Sequence, residues 1–133
     1  MKIKAAFMVF LFFPAALFAG GGWTGVAEDI EGALRDALKS YELGGTEKAM
    51  EEVADAYFAI FEAEDANMEI AVRQSLSLKR ATSLERAFTG VRKMMHEKAP
   101  FKVVKERPLD LKAEIKKAEG ELDAKGVDIG NRR

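Results

Sequence analysis

The chain contains no cysteine. That single absence excludes disulfides, thiolate zinc sites, iron–sulfur clusters and c-type haem attachment. Histidine occurs once, as His96, set among Lys93, Glu97 and Lys98 near an expected helix end. A lone histidine there serves the helix dipole rather than proton transfer, and multi-histidine metal sites are ruled out. An excess of charge of one sign is also missing: 21 Lys and Arg stand against 22 Asp and Glu, for a net charge of -1. Such a chain has no clustered cationic field to neutralise phosphates, so no nucleic-acid partner is expected. Glycine-rich phosphate loops are lacking, because Gly20-Gly21-Gly22 does not lie between a strand and a helix. Together these absences point away from an enzyme.

What is present is an ordinary globular balance, 48% hydrophobic and 32% charged over 133 residues, enough for one small domain. Residues 1–19 read as a secretory signal peptide. Lys2 and Lys4 form its positive end, Ala5 to Phe18 its apolar run, and Leu17-Phe18-Ala19 the approach to a cleavage point. An uncleaved anchor is the competing reading, disfavoured by Pro14 and the triple glycine. The expected location is therefore periplasmic or secreted. No later segment is apolar enough to span a membrane, and residues 20–25 read as a flexible leader carrying Trp23.

The hydrophobic period throughout is helical, which makes the fold class all-α: a small antiparallel bundle of about four helices over residues 26–99 with a peripheral C-terminal helix. Ile30, Ala33, Leu34, Ala37, Leu38 and Tyr41 form the stripe of a first helix that Gly44-Gly45 ends. Thr46 is the expected cap of a second, whose stripe runs from Ala49 and Val53 to Tyr57 and Phe61. Glu64-Asp65-Ala66-Asn67 interrupts the period, and a short third helix is expected from Met68 to Leu76. Ser77 to Ser83 reads as a connector, followed by a fourth helix from Leu84 to Lys98 that Pro100 stops. Residues 100–125 are expected to hold a linker and a peripheral helix with the thin stripe Leu111, Ile115, Ala118 and Leu122, opened by Pro108. Residues 126–133 read as a disordered tail.

Chemistry, if there is any, must come from oxygen ligands. Glu47, Glu51, Asp55, Glu62, Glu64, Asp65 and Glu69 crowd the centre of the chain beside the Tyr57 phenol. These are hard donors suited to ferric iron, manganese or calcium. The spacing matches neither a calcium loop nor a di-iron bundle, which needs Glu-x-x-His. The row Glu47, Glu51 and Asp55 reads as a solvated acidic face, and Tyr57 and Phe61 read as core.

The run Ala56-Tyr57-Phe58-x-x-Phe61-Glu62 followed by Met68-Glu69-x-Ala71-Val72 resembles the extracytoplasmic helical module of bacterial high-affinity iron permeases. The downstream helix Leu84-Glu85-x-x-Phe88-x-x-Val91-Arg92 fits the same pattern, so the resemblance covers about Ala33 to Met95. It implies a stand-alone exported accessory domain of iron acquisition, with a membrane iron permease or a related periplasmic iron protein as partner and iron as the cation. The residues it carries over are Glu62 and Glu69, with Tyr57 as a weaker third ligand. Transport itself is not implied, because the permease's Arg-Glu-x-x-Glu motif is missing here. The alternative is a non-catalytic structural or protein-interaction module without metal, in which Glu62 and Glu69 cap helices or pair with Arg86 or Arg92.

Overall fold

In a computed structural model, residues 21–129 are described. The signal read over residues 1–19 and the last part of the expected tail lie outside them. Among the described residues the fold is all-α. Helix α1 spans Gly21–Glu42, α2 Thr46–Asp55, α3 Met68–Ser75, α4 Leu78–His96, α5 Phe101–Val104 and α6 Glu106–Ala124. Between α2 and α3 the chain continues as a π-helical turn, Ala56–Phe61. None of these helices is long and apolar enough to cross a membrane.

The apolar stripes explain the packing. Ile30, Leu34 and Ala37 of α1, Ala49 and Val53 of α2, and Leu84, Phe88, Val91 and Met95 of α4 are all buried. Helix α1 packs on α2 and α6, and α4 on α2, α3 and α6. Gly44 lets the chain leave α1, since its φ of 91° is a left-handed conformation that a side chain would strain.

Several expectations are corrected by burial that no local pattern announces. The leader is helical: α1 begins at Gly21, and Trp23 is 1% exposed with its indole Nε1 donating to the Val127 carbonyl at 2.6 Å. That bond also holds residues 126–129, read from sequence as tail, against the start of α1. Thr46 forms no side-chain cap on α2; Gly45 holds the N-cap position. The expected connector at Ser77 to Ser83 is instead the beginning of α4, with the Ser77 hydroxyl accepting from the Arg80 amide at 3.0 Å. Arg80 in turn reaches Glu121 of α6 at 2.8 Å. The expected linker at Phe101 to Arg107 is also helical, forming α5 and the start of α6. The thin stripe of α6 is fully used: Leu111, Ile115, Ala118 and Leu122 are buried against α1 and α4, so this helix is more than a peripheral attachment.

Candidate carboxylate site

The break in the period occurs where expected, and it aims the side chains. In an α-helix each amide donates four residues back; in the turn Ala56–Phe61 the repeat widens, and the Glu62 amide donates to the Tyr57 carbonyl at 2.8 Å. The widened turn brings Glu62 within reach of the Tyr57 hydroxyl, which donates to Glu62 Oε2 at 2.7 Å. Asn67 then restarts the helix, its side-chain oxygen accepting from the Ile70 amide at 2.9 Å. Glu69 follows in the first turn of α3, where the helix dipole favours a carboxylate.

Glu69 is the only buried charged residue among those described, at 2% exposure. A carboxylate this dry needs a counter-charge or a protic partner. It has one in Arg73, one turn on, in the Glu-before-cation order that a helix prefers. Among the described residues neither Arg86 nor Arg92 forms an ion pair with it. The pairing raises the Arg73 pKa, with smaller contributions from the charges of Glu85 and Glu62.

Glu62 and Glu69 do come together, and a third carboxylate joins them: Glu85 of α4. One oxygen from each of the three lies within 4.8 Å of the others. Three points so spaced lie at most about 2.8 Å from a common centre, slightly beyond the roughly 2.3–2.6 Å of a calcium–oxygen contact. Side-chain adjustments of a few tenths of an ångström would complete the contacts to an ion of that size. A smaller ion at about 2.0–2.1 Å would need the three groups to close further. Three carboxylates against the single guanidinium leave the cluster net negative.

Tyr57 sits at the edge of this cluster, partly buried between Phe61 and Phe88, with ring centroids 5.7 and 5.3 Å away. Burial pushes its phenol well above the ordinary tyrosine range, reinforced by the hydrogen bond to Glu62 and the charges of Glu62 and Glu85. At neutral pH Tyr57 is therefore a neutral donor. Only a strongly Lewis-acidic ion would displace its proton and make it a ligand. Phe61 is core, as its spacing indicates, while Phe58 on the other side of Tyr57 is exposed.

Glu47, Glu51 and Asp55 are exposed along α2, as a solvated face requires. Glu64 and Asp65 are also exposed, in the break itself. Glu85 is the residue that sequence reasoning passed over. Its signal was present: it stands four residues after Ala81 and three before Phe88, both buried, so it shares their inward face. Compared with known proteins, the chain matches no family model, no curated protein and no solved structure.

Proposed function

We propose that this chain is an exported accessory domain of iron acquisition that holds a hard cation at Glu62, Glu69 and Glu85. Tyr57 stands beside them as a conditional fourth ligand. The observation that carries the reading is the convergence of three carboxylates from three separate segments on one point, one of them almost fully buried. Oxygen-only donors of this kind select hard ions over soft ones. Iron as the cargo, and an iron permease or related periplasmic iron protein as partner, rest on the resemblance of residues 33–95 to the extracytoplasmic permease module. On this reading the domain binds and presents the ion and catalyses nothing.

Two observations favour the structural alternative. Arg73 already neutralises Glu69, and Tyr57 already satisfies one oxygen of Glu62. Calorimetric titration with ferric citrate and with manganese separates the two. The cation reading expects saturable heat for the native chain and a large loss in Glu62→Gln/Glu69→Gln. Equal and negligible heats for both proteins would leave the structural module.

A further inference from the structure

We propose that the groove between α1 and α6 is a binding site for a small aromatic carboxylate. This proposal is independent of the carboxylate cluster and of the cation reading. Leu34 and Leu38 of α1 and Pro108 and Leu109 in the first turn of α6 line a half-open hollow of about 150 Å³. An apolar cavity of about that volume accommodates one benzene ring. Leu109 stands over it 57% exposed, an apolar wall with no protein cover among the described residues.

The rim sets the charge of the ligand. Glu31 is held by Lys112 at 2.5 Å, and Lys116 and Arg35 lie close enough to help keep its carboxyl below the ordinary range. Of the charged residues that line the hollow, Arg35 and Lys112 are cations and Glu31 is the one carboxylate, so the rim is locally positive. Glu31 is already occupied by Lys112, whereas Arg35 and Lys116 form no ion pair among the described residues. Arg35 lines the hollow and presents a planar fork that a carboxylate can meet with two parallel hydrogen bonds. A cationic ligand would be repelled at the same place. A hollow that takes one ring, walled by leucine and proline with a cation at its rim, suits a free small molecule carrying one ring and one negative charge.

The test is a methyl and amide NMR titration of the full chain with benzoate, using benzyl alcohol and benzylamine as neutral and cationic controls of equal ring size. Benzoate should give saturable shifts at Leu34, Leu38 and Leu109, binding more tightly than benzyl alcohol, with no response to benzylamine. Arg35→Gln, at an exposed position, should weaken benzoate about two- to fivefold and leave benzyl alcohol unchanged. Leu109→Ser should weaken both aromatic ligands. Any of three results would overturn the proposal: shifts that do not saturate, an equal response to benzylamine, or benzoate binding indifferent to Arg35→Gln. Concentration-dependent dimerisation that buries Leu109 would overturn it as well.

Discussion

Replacing Glu85 by glutamine is expected to stabilise the cation-free protein while weakening its hold on a cation. The three carboxylate oxygens lie within 4.8 Å of one another. At that separation two unit charges repel by about 0.9 kcal/mol in water-like surroundings and about 3.5 kcal/mol at an effective dielectric constant of about 20. Glu85 faces two such neighbours, and removing its charge also removes part of its attraction to Arg73, so the expected net gain is about 1 kcal/mol. Glutamine keeps the size and shape of the side chain and removes its charge, and the Tyr57 hydroxyl keeps its own acceptor in Glu62, so the change is close to a pure loss of charge. For a domain of this size the gain corresponds to a rise in Tm of about 4 °C. The assay is thermal unfolding in chelator-treated buffer, repeated with added calcium or manganese. Added cation should stabilise the native chain by mass action and the variant much less. The sign is the informative part, because most substitutions destabilise. A loss of about 1 kcal/mol or more for Glu85→Gln in chelator would refute the reasoning and place Glu85 among structural partners.

Trp23→Ala should cost about 3–5 kcal/mol in denaturant unfolding, since it empties a fully buried site and removes the anchor for Val127; a cost below about 1 kcal/mol would restore the flexible leader. Gly120→Ala should stabilise by about 0.5–1 kcal/mol, because the added methyl meets nothing within 4 Å in the interior of α6. Spectrophotometric titration should find Tyr57 ionising well above the ordinary tyrosine value of about 10, with the ionisation moved down in Glu62→Gln. The sign follows from linkage: a group whose folded pKa is raised contributes stability that is complete below its unfolded value. That contribution is lost as pH rises from about 10 through the folded pKa, so Tyr57→Phe should flatten the alkaline loss of stability.

The parts of the fold legible in the sequence were those set by local periodicity and local caps. Asn67 is an example: its short polar side chain announces a helix start, and α3 begins one residue later. The four inward positions of α6 were equally readable, though their number suggested weaker docking than Leu111, Ile115, Ala118 and Leu122 achieve. What escaped was set by contacts distant in sequence. Lys79, Arg80 and Ser83 look like a connector until Arg80 meets Glu121. A glycine-rich leader looks loose until Trp23 meets Val127. The same division runs through the site. Glu62 and Glu69 flank a visible helix break, whereas Glu85 joins them only through the packing of α4, and the widened turn that positions Glu62 leaves no mark on the apolar stripe.

The most direct test of the carboxylate site uses terbium as a hard trivalent probe, with its luminescence sensitised by excitation of the neighbouring Tyr57 ring. A cation seated among Glu62, Glu69 and Glu85 predicts a saturable, one-to-one rise in emission that calcium or manganese displaces. It also predicts that Tyr57→Phe lowers the emission without abolishing binding, and that Glu62→Gln/Glu69→Gln removes the response. Emission from the native chain that does not saturate, or that is the same after both carboxylates are neutralised, would contradict the account.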